Sequence, residues 1–181
     1  MDLRIENVTR KSKEKQKIKE IYKSSFPKGD RMSFIMMLIM AKMSSTEFIS
    51  FHDKDTLCGF VYMSTIENLT FVMFLAVDEN IRGKGYGSFI LEKIQSMHTN
   101  SKIIVSIERC DQEAKDIKQR LKRKKFYINN GYKETGYLVE LGNKKQEILI
   151  KNGEFNKEEF FLIFMKYSNG TMKPKILKIG S

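Results

Sequence analysis

Apolar residues fall into short runs of two different periods, and these periods alternate along the chain. Leu3 and Ile5, with Val8 offset, alternate with polar positions and predict a strand over Leu3–Val8. Between Lys13 and Ser25, Ile18, Ile21 and Tyr22 recur at helical spacing, and Pro27 ends that helix because it disfavours a helical continuation. Asp30 is placed to cap a second helix reaching Met43, with Phe34, Met37, Leu38 and Ala41 on one face. Met36, Met37, Met40 and Met43 on that helix read either as gap-filling core side chains or as an adaptable wall beside a substrate pocket. Glu47–Phe51, Leu57–Ile66 and Phe71–Val77 follow as an antiparallel meander, turning at Asp53-Lys54-Asp55 and at Glu67-Asn68. Ser88–Met97 carries Phe89, Ile90, Ile94 and Met97 on a helical period, and Lys102–Ile107 is again a buried strand. Asp111 is placed to cap a helix over Gln112–Asn130, with Ile117, Leu121 and Ile128 on its apolar side and Asn129-Asn130-Gly131 as its stop. Tyr132–Leu141 and Gln146–Ile150 form a hairpin about Gly142-Asn143. Asn156 with Glu159 opens a last helix through Tyr167, and the lysine-rich end from Thr171 either frays or adds an edge strand.

One junction in this pattern carries chemistry. The apolar run Phe71–Val77 leads into Arg82-Gly83-Lys84-Gly85-Tyr86-Gly87, directly before the helix at Ser88. Alternating glycines leave the backbone uncovered where amide N–H groups and the positive end of a helix dipole converge, which makes an anion site. Arg82 and Lys84 add positive charge, so a phosphate-bearing ligand is expected. Strand, loop, helix and next strand form a β-α-β unit, so the strands at Phe71 and Ile103 are expected to be parallel neighbours with a right-handed crossover. Ligands in such sheets bind beyond the carboxyl ends of the strands, where Glu108, Arg109, Cys110 and Asp111 lie.

Composition narrows the class. A chain of 181 residues with 41% hydrophobic content suits one domain, read as 1–181 with 167–181 as a tail. Outside the strand at Phe71 the longest clean apolar run is Phe34–Ala41, too short to span a bilayer, and Met1-Asp2-Leu3-Arg4 has no signal pattern, so a soluble cytoplasmic protein without membrane partners is expected. Cys58 and Cys110 are too few for a disulfide framework and lack metal-ligand spacing, so reduced thiols and no metal site are expected. His52 and His98 read as structural or exposed rather than catalytic. The net charge of +11 favours anionic partners, whether nucleic acid, acidic lipid or a polyphosphate cofactor, or it is simply a solvated lysine-rich surface. Lys115, Lys118, Arg120, Lys122, Arg123, Lys124 and Lys125 could track a nucleic-acid backbone. With no DNA-binding motif and no interleaved aromatic residues, a solvated face is the simpler reading and nucleic acid is not expected.

Leu75-Ala76-Val77, Arg82-Gly83-Lys84-Gly85-Tyr86-Gly87, Phe126-Tyr127 and Gly131-Tyr132 together resemble the GNAT superfamily of acyl-CoA-dependent N-acyltransferases, in element order over roughly Ile18–Ile150. The resemblance implies an α/β (α+β) fold with a mixed, mostly antiparallel twisted sheet flanked by helices and a splayed pair of parallel central strands. It implies acetyl-CoA as cosubstrate, its pyrophosphate cradled by Arg82–Gly87 with Ser88 beginning the helix. It places the Leu75 amide on the thioester carbonyl and the Val77 amide on the pantetheine arm, with Ala76 between them. Tyr127 matches the tyrosine that protonates the leaving thiolate. For the base that takes the amine's proton, Glu108 is the first candidate and Glu67 the second. The activity implied is direct acetyl transfer to a primary amine in a ternary complex, no cysteine occupying a motif position. The acceptor, a small molecule or a peptide, and homodimer formation stay open. One departure is visible: many members carry an asparagine and an alanine before the tyrosine, where this chain has Arg120, Leu121, Lys122, Arg123 and Lys124. There Arg120 or Arg123 either reaches a phosphate or pairs with an acidic neighbour, or both are simply solvated on the helix surface. The alternative is a non-catalytic acyl-CoA-binding or nucleic-acid-associated module using the basic helix 115–125.

Overall fold

A computed structural model describes residues 3–111, 114–142 and 144–180. The chain divides into two units, Met1–Ser64 with Val72–Thr99 and Thr65–Phe71 with Asn100–Ser181. The first unit holds β1 (Arg4–Asn7), α1 (Lys15–Ser25), α2 (Phe34–Met40), β2 (Thr46–Asp53), most of β3 (Thr56–Ile66) and of β4 (Leu69–Val77), and α3 (Tyr86–Met97). β1 pairs antiparallel with β2, Arg4 opposite His52 and Asn7 opposite Ile49. β2 pairs antiparallel with β3 from Thr46↔Ser64 to Phe51↔Gly59, then jumps to His52↔Leu57, so Cys58 is an extra residue in β3. The core is aromatic: Tyr22 packs on Phe26, Phe34, Phe60 and Phe74, and Phe48 on Phe34, Phe60 and Tyr62. Such pairs contribute about 0.5–1.5 kcal/mol each beyond their buried area.

The second unit holds β5 (Lys102–Glu108), α4 (Ile117–Asn129), β6 (Lys133–Leu141), β7 (Lys144–Lys151), α5 (Lys157–Tyr167) and β8 (Lys175–Lys178). β7 pairs antiparallel with both β5 and β6, and β8 pairs antiparallel with the outer side of β6. Phe71, Phe155, Phe160 and Phe164 form its aromatic core. The Asn156 side chain accepts from the N–H groups of Glu158 and Glu159, as its position before an apolar helix predicts. In strand order the sheet runs β1-β2-β3-β4-β5-β7-β6-β8, with β4 contributing to both units. It is mostly antiparallel with one parallel pair, β4–β5, and helices flank it. Among the described residues no helix is long and apolar enough to cross a membrane.

Several elements differ from their sequence-based expectations. Asp30 does not cap α2; it ends a separate 3-10 turn, Lys28–Asp30, and α2 starts at Phe34 and closes at Met40 rather than Met43. The intervening segment is held elsewhere. The Tyr22 hydroxyl accepts the Met32 N–H (2.7 Å) and donates to the Met32 carbonyl (3.1 Å), while Arg31 donates to the carbonyls of Lys23 and Phe26 at the end of α1. Met37 is buried, whereas Ile35, Met36, Ile39 and Met43 are exposed, so gap-filling describes Met37 and not the whole methionine set. α4 begins at Ile117, not Gln112, and Asp111 does not cap it; Asp111 pairs with Arg109. Gln112 itself lies outside the described residues. Leu121 and Ile128 are exposed and Tyr127 is the buried side chain of that helix. α3 starts at Tyr86, two residues earlier than expected, so Gly87 is helical. The tail is resolved in favour of an edge strand, β8, and the hairpin turns at Gly142, with Asn143 outside the described residues.

Candidate active site

The glycine junction is built by the first unit. Val77 ends β4, and Asp78 follows with its N–H donating to the Cys58 carbonyl at 2.9 Å. The Asp78 carboxylate accepts from the backbone and side-chain N–H groups of Asn80 and has Lys17 at 3.6 Å. Burial alone would raise its pKa, but those donors and the lysine charge hold it below the ordinary carboxylate range. Arg82 donates from Nε to the Val77 carbonyl (3.2 Å) and from a terminal nitrogen to Ser25 Oγ (3.2 Å), tying the loop to the end of β4 and to α1. Gly83 and Gly85 then take left-handed conformations, φ +84° and +85°, which residues with a Cβ adopt only under strain.

Gly85 is the N-cap of α3, so the N–H groups of its first turn, Tyr86, Gly87 and Ser88, have no intrahelical acceptor. A Cβ at Gly83 would meet nothing within 4 Å. The backbone here is open to a ligand and cationic, with Arg82 and Lys84 both exposed, and a pyrophosphate group fits such a cradle. The Tyr86 hydroxyl donates to Asp53 Oδ2 at 2.8 Å, which fixes the first residue of the helix and raises the phenol's pKa. Upstream of the loop, Leu75 and Val77 are half-buried and Ala76 is buried.

A second cluster belongs to the other unit. Glu108, the last residue of β5, is ion-paired with Arg123 of α4. Burial pushes the Glu108 carboxyl up, and the Arg123 hydrogen bond and charge outweigh it, leaving the group below its ordinary value. Tyr127 lies one helical turn beyond Arg123, 8% exposed, with Phe126 and Tyr132 packed on its ring. Burial pushes its phenol up to about 12, Arg123 opposing and Glu108 adding to the rise. The Tyr132 hydroxyl is buried and has no hydrogen-bond partner among the described residues. Arg120 is held by Asp116 and the Arg109 carbonyl, and Lys124 by Glu134 and Glu147. The basic run thus divides: Arg120, Arg123 and Lys124 pair with groups of their own unit, while Lys118, Lys122 and Lys125 are exposed. Glu67 sits in the turn before β4 at φ +56° and pairs with Lys166 of α5 at 3.2 Å.

The structure therefore gathers Leu75–Ser88 in one unit and places Glu108, its partner Arg123 and Tyr127 one helical turn further on in the other, while Glu67 has a partner of its own. Long-range ties such as Asp53–Tyr86, Arg82–Ser25 and Lys124–Glu147 carry no local sequence signal. His52 likewise is buried beside Glu14 (3.2 Å) and Ser50 (3.0 Å), and His98 lies 2.9 Å from Glu47. Burial lowers the His52 pKa against the opposing charge of Glu14.

One stability prediction follows from the Glu108–Arg123 pair. Arg123→Met leaves a half-buried carboxylate unpaired and is expected to cost about 1–3 kcal/mol at neutral pH. Because the folded-state pKa of Glu108 is lowered, the pair's contribution is present above the ordinary value of 4.5 and is lost as pH falls through the folded value. Urea unfolding of both proteins at neutral and acidic pH checks this: the gap between them should close on acidification.

Comparison with known proteins gives a consistent picture. The sequence profile of the Acetyltransferase (GNAT) domain matches residues 44–134, half of the chain. A search of curated protein sequences finds no match. Among solved structures, a GNAT-family putative acetyltransferase from Bacteroides thetaiotaomicron superposes with a TM-score of 0.70 at 17% identity, covering 90% of this chain and 94% of its own. PaiA N-acetyltransferase from Thermoplasma acidophilum, solved in complex with coenzyme A, gives 0.57 at 17% identity, covering 84% and 100%. An aminoglycoside 6′-N-acetyltransferase, also complexed with coenzyme A, gives 0.64 at 14% identity, covering 84% and 99%. At these identities the structural likenesses speak to fold, and the domain match speaks to family. The chain belongs to the GNAT acetyltransferases, whose standard cosubstrate is acetyl-CoA.

Proposed function

We propose that this protein transfers an acetyl group from acetyl-CoA to a primary amine by direct attack in a ternary complex. The observation that carries the reading is the bare, left-handed Gly83–Gly85 loop running from β4 into the first turn of α3, within the segment that matches the GNAT domain. In this reading the amides from Arg82 to Ser88 hold the pyrophosphate, and the left-handed glycines let them approach it without a side chain between. Acetyl-CoA when bound supplies an activated acetyl thioester. The Leu75 amide donates to the acetyl carbonyl oxygen and stabilises charge developing there, a contribution of about 2.7–4 kcal/mol in comparable oxyanion sites. The Val77 amide, with Ala76 alongside, aligns the pantetheine arm.

Tyr127 holds a proton on its hydroxyl and delivers it to the departing sulfur. A phenol raised to about 12 keeps that proton throughout the neutral range. Glu108, kept ionised by Arg123, is our first candidate to take the amine's proton, directly or through a water; its lowered pKa makes it a weak base but a constant anion that attracts an ammonium group. Glu67, in its exposed turn, is the second. The acceptor is a small-molecule or peptide amine. A thiol-release assay with acetyl-CoA against a broad amine panel tests the proposal: free thiol accumulating only with particular amines supports it. Saturating acetyl-CoA that neither stabilises the fold nor releases thiol with any amine overturns it.

A further inference from the structure

We propose that Gly59 of β3 is a positioning residue for the acyl-CoA arm, acting through the backbone of β4. The inference rests on the acetyl-CoA reading above and deepens it. Gly59 is buried and is not among the left-handed glycines, so torsional freedom does not explain it. Space does. A Cβ built on Gly59 would lie 2.2 Å from the Ala76 carbonyl oxygen, 3.1 Å from the Val77 Cα and 3.2 Å from the Ala76 carbonyl carbon. All three are backbone atoms, which cannot rotate aside as a side chain would.

The distances also give a direction. The Ala76 oxygen is nearer to that Cβ position than its own carbon is by most of the roughly 1.23 Å C=O bond, so the carbonyl points at Gly59. Every peptide among the described residues is trans, and in a trans peptide the N–H points opposite to the C=O. The Val77 N–H is therefore aimed away from β3, with no acceptor in that strand. The neighbouring residues hold this arrangement: the extra residue Cys58 shifts the β2–β3 register beside Gly59, its carbonyl accepts the Asp78 N–H at 2.9 Å, and Arg82 holds the Val77 carbonyl at 3.2 Å. The next peptide, Val77–Asp78, is thus held at both its N–H and its C=O, the Val77 N–H before it faces outward, and the vacancy at Gly59 Cβ is what lets the Ala76 carbonyl lie where it does.

Gly59→Ala removes that vacancy and must rotate or displace the Ala76–Val77 peptide, while Gly83, Gly85 and the first turn of α3 keep their contacts. The test compares two probes by calorimetry on wild type and Gly59→Ala: acetyl-CoA, and 3′-phospho-ADP, which carries the phosphates but no pantetheine arm. Acetyl-CoA affinity is expected to fall by roughly tenfold or more, and 3′-phospho-ADP affinity to stay within about twofold. Equal acetyl-CoA affinity in both proteins, or equal weakening of both probes, overturns the proposal. Should Gly59→Ala fail to fold, amide exchange on the wild type decides. Protection of the Val77 amide by acetyl-CoA and not by 3′-phospho-ADP supports the proposal, and no change at Val77 overturns it. Wild-type protein that binds neither probe instead overturns the acetyl-CoA reading on which the proposal stands.

Discussion

Tyr127→Phe is expected to lower the turnover of acetyl transfer by about 10²–10⁴-fold, the range general acid catalysis supplies, with acetyl-CoA affinity nearly unchanged. The substitution removes one oxygen and leaves the ring among Phe126 and Tyr132, so packing is preserved. Loss of kcat at constant affinity is the signature of an interaction used in the transition state rather than in binding. Because burial places the phenol at about 12, wild type keeps its acid through the whole neutral and mildly alkaline range, and Tyr127 produces no alkaline limb in the rate profile there. The same shift has a stability consequence of definite sign. Its folded-state pKa lies above the ordinary value of 10.0, so the stabilisation is fully present below that pH and is lost as pH rises toward about 12. Alkaline unfolding of Tyr127→Phe should lack this component. Steady-state kinetics beside calorimetric binding check the first claim, and full turnover in Tyr127→Phe would remove the general-acid role.

Gly83→Val is expected to weaken acetyl-CoA binding by about 10²-fold or more, through loss of charge-assisted hydrogen bonds worth about 1.5–3 kcal/mol each. Position 83 combines two facts. Its φ of +84° is costly for a β-branched residue, about 1–2 kcal/mol, and among the described residues no atom beyond its chain neighbours lies within 4 Å of its Cβ position. The apo fold therefore has room for the new side chain, and the damage falls on a ligand approaching the same space. Wild type at 100-fold excess over its Kd should gain about 2.7 kcal/mol of stability from the cosubstrate, a gain the variant lacks. Lys84→Ala, which removes an exposed charge and no backbone donor, should show a far smaller effect. A thermal-shift titration of the three proteins with acetyl-CoA separates these outcomes, and wild-type behaviour of Gly83→Val would remove the loop from the cofactor site.

The strand, glycine loop and helix that hold Gly83 are adjacent in the chain, and local patterns report adjacent things well. Alternating glycines before a helical period predicted the loop, although the start of α3 at Tyr86 rather than Ser88 was hidden because no Ser, Thr, Asp or Asn stands at its N-cap, only Gly85. The same reliance on cap chemistry misplaced two other boundaries. Asp30 and Asp111 look like caps, but one closes a 3-10 turn after Pro27 and the other pairs with Arg109. Helical spacing also suggested that Leu121 and Ile128 face a core, whereas both are exposed and Arg123 and Lys124, paired with Glu108 and Glu147, are half-buried. The Arg123–Glu108 and Lys124–Glu147 pairs join residues distant in sequence, which an apolar period does not report.

Period and composition by themselves determined the succession of strands and helices and the bare glycine loop between a strand and a helix, because those properties depend on residues within a few positions of one another. Tertiary structure alone decided the protonation states and the backbone directions. It decided that Glu108 meets Arg123, that Tyr127 is buried enough to hold its proton, and that Gly59 leaves room for the Ala76 carbonyl, since pKa shifts and steric clearance are set by neighbours that the chain brings together only on folding.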